Sequence, residues 1–185
     1  FFDTHLKGKE ISPLFPKINL WNQTTKSWEV SVQKEIPTWN LHSEGLASIS
    51  HIEGSLIPNS DLRAEREVNV VHDPWRPVPA IGWALSDTAG SANRFKIDIR
   101  PDVAIFTSNP FLNDLMLEGI PTLFLETKCD RESFDLFVTL TIIPSKVEYT
   151  VTQLSTGVLR IANYDKCIKS ARQIRIQPIQ LKIIR

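Results

Sequence analysis

No charge of either sign predominates in this chain: 21 lysines and arginines meet 21 aspartates and glutamates over 185 residues. Without a basic or acidic excess there is no electrostatic footprint for nucleic acid or an anionic membrane surface, so neither is expected as a partner. Cysteine is scarce. Cys129 and Cys167 stand far apart, form no C-x-x-C pair and are too few for a disulfide framework, which predicts reduced thiols and a cytoplasmic location. Missing too is any apolar run near the roughly 18 residues a membrane span needs, and the opening "FFDTHLKGKE" lacks a basic start leading into an apolar stretch. With 42% hydrophobic residues the chain can still bury a core of its own, as one domain.

The signatures of catalysis are absent as well. There is no G-x-S-x-G elbow, no P-loop, no G-x-G-x-x-G and no H-E-x-x-H. His72 adjoins Asp73, but neighbours on an extended segment point to opposite faces, which argues against a working dyad. His42 and His51 lie in a polar stretch without a carboxylate or thiolate at ligand spacing, and His5 belongs to the opening helix. Asp130, Glu132 and Asp135 lack the glycine and the oxygen-ligand spacing of a calcium loop. Asp98 and Asp102 flank Arg100, and the expectation there is a salt-bridged strand end fixing the turn through Pro101, not an acid-base pair. Neither a catalytic residue, nor a metal site, nor a cofactor is predicted.

What is present is period-two alternation. Ile18 and Leu20, then Trp28, Val30 and Val32, then Phe95, Ile97 and Ile99 predict half-buried strands. The segments "TLFLET", "FDLFVTLTII", "VEYTVTQL" and "VLRIANY" are richer in β-branched and aromatic residues and read as deeper strands. Gly119 with Pro121, Pro144 with Ser145, and Thr156 with Gly157 mark turns. "NPFLNDLMLE" reads as a short turn, and "SDLRAEREVNVVHD" as a solvated connection or exposed strand. Strands punctuated this regularly indicate an antiparallel sandwich or jelly roll. In "RQIRIQPIQLKIIR" the apolar positions change parity at Pro178, which predicts either a bulge or two short strands joined there. If the run from Ile174 to Ile184 is an uncovered edge, its backbone seeks another chain, so a homo-oligomer is expected.

The five tryptophans divide in two. Trp21 and Trp28 alternate with aliphatic residues on strands and read as core or inter-sheet aromatics. Trp39, Trp75 and Trp83 fall in proline-rich, strand-poor segments, where an aromatic is a candidate for an interface. "VPAIGWAL" brings Ile81, Trp83 and Leu85 onto one turn with few polar groups, a candidate apolar wall for a pocket shared with another domain.

In order, "HDPWRPVPAIGW", "RPDVAIFTSNPFLNDLMLEGIPTLFLE", "FDLFVTLTII" and "STGVLRI" resemble the C-terminal β-sandwich of X-Pro dipeptidyl-peptidases and the related cocaine-esterase-like acyl hydrolases. The resemblance spans nearly the whole chain. It implies an all-β fold, a jelly-roll β-sandwich of the galactose-binding-domain-like kind, truncated at its C-terminal end. It also implies that residues 1–10, with "FFDTHLKG", end a helix of a preceding α/β-hydrolase domain, and that residues 11–185 form the sandwich. The serine, aspartate and histidine of such hydrolases belong to that preceding domain, which is the implied partner, so no catalytic residue carries over. The loop after the "VP" turn leans toward the catalytic cleft in this family, which points to Ile81, Trp83 and Leu85, with Trp75 and Trp39, as cleft-wall or domain-interface residues. One departure stands out: where such proteins read Gly-Gly, this chain has Gly82 followed by Trp83, so its loop must turn differently. A carbohydrate-binding module or an oligomerisation sandwich is the alternative, and the glycan reading needs Trp39, Trp75 and Trp83 on one open face.

On this basis the isolated chain is expected to hydrolyse neither X-Pro-anilides nor simple aryl esters, for want of an activated nucleophile and an oxyanion hole. Turnover above background in a pure sample, abolished by a serine-directed inhibitor, would contradict this.

Overall fold

A computed structural model of the chain describes residues 2–9, 19–22, 24–31, 37–58, 66–82, 90–144, 150–162, 170–175 and 179–183. Among them are eleven strands and two short helices, an all-β sandwich-type fold divided into several small sheets. The helices are α1 (Phe2–Lys7) and α2 (Phe95–Asp98). The strands are β1 (Asn19–Asn22), β2 (Ser27–Val30), β3 (Trp39–His42), β4 (Ser55–Pro58), β5 (Thr107–Ser108), β6 (Leu115–Gly119), β7 (Thr122–Thr127), β8 (Phe134–Ile142), β9 (Thr152–Ile161), β10 (Ser170–Arg175) and β11 (Ile179–Ile183). Among the described residues no helix is long and apolar enough to cross a membrane.

The longest ladder, β8 with β9, follows the alternation in the sequence. Phe134, Leu136 and Val138 face Ile161, Leu159 and Gly157 on the less exposed side. On the outer side Asp135 faces Arg160, and the guanidinium grips the carboxylate with two bonds of 2.8 Å. The register slips by one residue after Leu140, which faces Ser155, while Thr141 faces Gln153; Leu154 is the extra residue of a bulge. Thr156 and Gly157 therefore lie inside β9, not at the expected turn. Gly157 stands buried opposite Val138, where a strand accepts a missing side chain.

The end of the chain pairs with "LMLEGIPTLFLET". β10 runs antiparallel to β7 and β11 antiparallel to β6, in separate ladders. Arg175 faces Thr122 at the end of one ladder and Ile179 faces Gly119 at the start of the other. The parity change expected at Pro178 falls on a residue outside those described. Gly119 takes φ 110° at the corner between β6 and β7, as its predicted turn requires.

Two expectations from alternation fail. Phe95, Ile97 and Ile99 lie not on a strand but in and just after the single turn of α2, where only Ile97 is buried. The Asn93 side chain accepts the Phe95 N–H at 3.0 Å, and the Arg94 carbonyl accepts the N–H groups of Ile97 and Asp98. Trp21 and Trp28 are likewise not core residues. They face each other across β1 and β2, edge to face at 5.5 Å, and remain 44% and 69% exposed. Period two assigns residues to faces without saying which face is covered. The stretch "NPFLNDLMLE" bends at 112–113 and enters β6, and residues 66–73 form an irregular, mostly exposed connection.

The deepest apolar side chains are Ala47, Ile97, Val151 and Ile161, and buried polar residues, Ser43, Ser48, Arg94, Gln153, Ser155 and Thr156 among them, fill much of the rest. One backbone approach is unusually close. The Thr107 N–H donates to the Gly54 carbonyl at 3.0 Å, β4 and β5 pair in parallel just beyond, and a Cβ on Gly54 would lie 2.0 Å from the Ile105 carbonyl oxygen. Gly54→Ala is therefore expected to cost about 3 kcal/mol, the upper end for an overpacked interior. Urea denaturation checks this, and a wild-type midpoint would mean the two backbones are not in contact.

Candidate functional site

The residues around "VPAIGWAL" are placed by the segment from 92 to 102, and that placement begins with backbone pairing. Gln153 N–H donates to the Ala92 carbonyl at 2.9 Å and Arg94 N–H to the Val151 carbonyl at 2.7 Å, around a bridge between Asn93 and Thr152. This lays the Arg94 side chain beside the start of β9. Its Nη1 donates to Gln153 Oε1 at 3.0 Å and its Nε to Asp98 Oδ1 at 3.3 Å, one turn along α2. Both members of the ion pair are about nine-tenths covered. Burial pushes the Asp98 carboxyl above its ordinary value, against the opposing pull of the Arg94 charge and hydrogen bond.

Gly82 packs against the same Gln153. With φ 66°, it brings its backbone so close that a Cβ would meet the Gly90 carbonyl oxygen at 2.5 Å, Gln153 Nε2 at 2.8 Å and Ala92 Cβ at 2.9 Å. The Gly90 N–H donates to the Gly82 carbonyl at 3.2 Å. The ends of the intervening segment, 83–89, are thus tied together over the Arg94–Gln153 pair. Trp83 and Leu85 fall in that segment and lie outside the described residues. Ile81 precedes the tie and is half-buried.

A second arginine fixes the turn that carries Trp75. Arg100 grips Asp102 through Nε at 2.7 Å and Nη2 at 2.6 Å, and Nη2 also donates to the Arg76 carbonyl. Asp73 closes that turn from within: its Oδ1 accepts the Trp75 N–H at 2.9 Å and its carbonyl the Arg76 N–H at 3.1 Å. The Asp73 carboxylate serves the turn. Trp75 projects from it 91% exposed. Arg100 pairs across Pro101 as expected, but at the end of α2 rather than of a strand, and Asp98 takes Arg94 as its partner.

Trp39 sits elsewhere, at the start of β3, half-buried and edge-on to Phe111 at 6.4 Å. It is therefore not a free stacking platform. His42 Nε2 lies 3.6 Å from Glu44 Oε1, and among the described residues no three His, Cys, Asp or Glu side chains gather as metal ligands. The notch between Ser48, His51, Asp98 and Arg100 has room for no more than about one water molecule, so it holds no substrate. What the cluster can do chemically is hold loops. Sequence reasoning missed Arg94 and Gln153 as their support; the i, i+4 spacing of Arg94 and Asp98 was a usable signal, whereas nothing local marks Gln153.

The Arg100 hydrogen bonds hold the Asp102 carboxyl below its ordinary value of 3.8, with His72 adding a weaker attraction. A carboxyl depressed in the folded state contributes stability that is present above 3.8 and is lost as pH falls through the folded value. Asp102→Asn should therefore melt a few degrees below the wild type at neutral pH, and the gap should close in acid. Parallel thermal melts across that range check the sign, and a gap that widens in acid would refute it.

A family model described as the X-Pro dipeptidyl-peptidase C-terminal non-catalytic domain matches residues 14–178. No curated protein matches the chain. The match covers every strand from β1 to β10, both arginine pairs and the ends of the tied loop. The chain belongs to the family of X-Pro dipeptidyl-peptidase C-terminal non-catalytic domains.

Proposed function

We propose that this domain braces the catalytic domain of its polypeptide and supplies one wall of the substrate cleft with the loop that begins at Ile81. In this reading residues 1–10 end a helix of the preceding α/β-hydrolase domain, residues 11–185 are the jelly-roll sandwich, and the protein acts in the cytoplasm on peptide, ester or amide bonds. The observation that carries the reading is the tie between Gly82 and Gly90 above the buried Arg94–Gln153 pair. A loop closed at its base on a fixed support can hold an apolar surface in one position, which a pocket wall requires. The half-buried Ile81 and the apolar sequence after Gly82 fit that use. Trp75 on its pinned turn fits a contact with the neighbouring domain.

In the polypeptide that includes the catalytic domain, Trp83→Ala is expected to change kcat/KM toward X-Pro substrates by about ten-fold, or about 1.4 kcal/mol, with little change in melting temperature. A core tryptophan would instead cost roughly 3 to 5 kcal/mol of stability. Measuring both quantities on this one variant separates the roles, and a large loss of stability with unchanged specificity would overturn the cleft-wall reading.

A further inference from the structure

The first strand pair of the family-matched segment is built inside out. Asn19, Trp21, Trp28 and Val30 share one face of β1 and β2, and Leu20, Asn22, Ser27 and Glu29 share the other. The tryptophan face is the exposed one, with Val30 also open, while Asn22 is fully buried. The inner polar groups satisfy one another. Asn22 Nδ2 and Thr25 Oγ1 donate to Glu29 Oε1 at 3.0 and 2.8 Å, and Asn22 Oδ1 accepts the N–H groups of Thr24 and Thr25 in the turn. Exchanging the faces would break this set, so the tryptophans are held outward by the register itself. The hairpin is also anchored, since the Ser31 hydroxyl donates to Glu118 Oε1 at the end of β6 and β1 runs beside β11.

A fixed, uncharged face of two edge-to-face indoles and a valine is a surface made for another protein surface. We infer that the β1–β2 face is where the catalytic domain of the same polypeptide docks. This rests on the bracing role proposed above and adds the face that performs it. Two observations select the occupant. The family's description places the catalytic part N-terminal to this domain, and the match starts at residue 14, five residues before β1, a reach of at most about 18 Å. On the other side of that boundary Leu6 of α1 is also largely exposed, so apolar side chains stand open on both sides of it. A domain tethered this closely meets the face at an effective concentration on the order of millimolar, which a second copy of the chain does not have.

Hydroxyl-radical footprinting of the polypeptide that includes the catalytic domain tests this, with oxidation of Trp21 and Trp28 compared between the folded and the urea-unfolded protein. Exposures of 44% and 69% allow protection of no more than about two-fold if the hairpin stands free. Docking is expected to raise it to ten-fold or more, independent of protein concentration. Protection of two-fold or less overturns the inference, as does protection that grows with concentration, which would assign the face to a second copy. The double variant Trp21→Ser with Trp28→Ser keeps the inner hydrogen bonds; with unchanged far-ultraviolet circular dichroism, it should be cleaved about ten-fold faster by protease near residue 14, and unchanged cleavage counts against docking. These readouts need no substrate, so they fail or succeed separately from the kinetics of Trp83→Ala.

Discussion

Arg94 is the constraint on which the rest of the described structure depends. A guanidinium removed from water must be paired and hydrogen-bonded or the fold loses several kcal/mol. Here the pairing comes from two directions. Asp98 meets it one helical turn on, and Gln153 meets it from β9. The first contact supports the turn of α2, together with the Asn93 side chain that accepts the Phe95 N–H. The second adds a side-chain contact to the backbone pairing that joins the segment at 92–94 to β9, and Gly82, with no Cβ, packs on the same Gln153. Burial raises the Asp98 carboxyl while Arg100 lowers that of Asp102, so protonation of the two in acid changes stability in opposite senses.

The strands were legible in the sequence where a single face is covered. The first half of "FDLFVTLTI", from Phe134 to Val138, shows alternation in burial, with Asp135 on the outer side facing Arg160. Strand-forming sequence on both sides of Pro178 was readable too, and β10 and β11 pair there in separate ladders, while Pro178 itself lies outside the described residues. Alternation was misleading in two places. Phe95, Ile97 and Ile99 have the spacing of a strand, yet five residues are too few to distinguish periods of 2 and 3.6, and the capping bond from Asn93 and the pair at i, i+4 both favour the helical turn. Thr156 and Gly157 have the composition of a turn, but a glycine opposite a β-branched residue fits mid-strand as well.

The site was only partly legible, for a different reason. Ile81 and Trp75 could be singled out by their proline-rich setting, but what holds them lies far along the chain: Gln153 for the tied loop, Arg100 for the Trp75 turn. No local pattern encodes a partner separated by 59 residues. Trp39, picked out by the same composition, packs instead against Phe111, because composition says that an aromatic is near the surface and not what it touches.

Trp21 and Trp28 carry the same point to its functional end. Their spacing was that of strand residues on one face, and the ordinary expectation turns such a face inward. Asn22 reverses it. Its amide serves the turn and Glu29 at once, bonds it can keep only by pointing into the body of the domain, and once that side chain is fixed the pleat sends both indoles outward. A domain that existed only to be stable could place an apolar pair inside and asparagine outside at no cost. A domain that must adhere to a neighbour needs apolar groups on its own surface, held so that they cannot fold back to satisfy themselves. A non-catalytic domain does its work through where it sits against the rest of its polypeptide, and in the docking inferred above a buried asparagine sets that position.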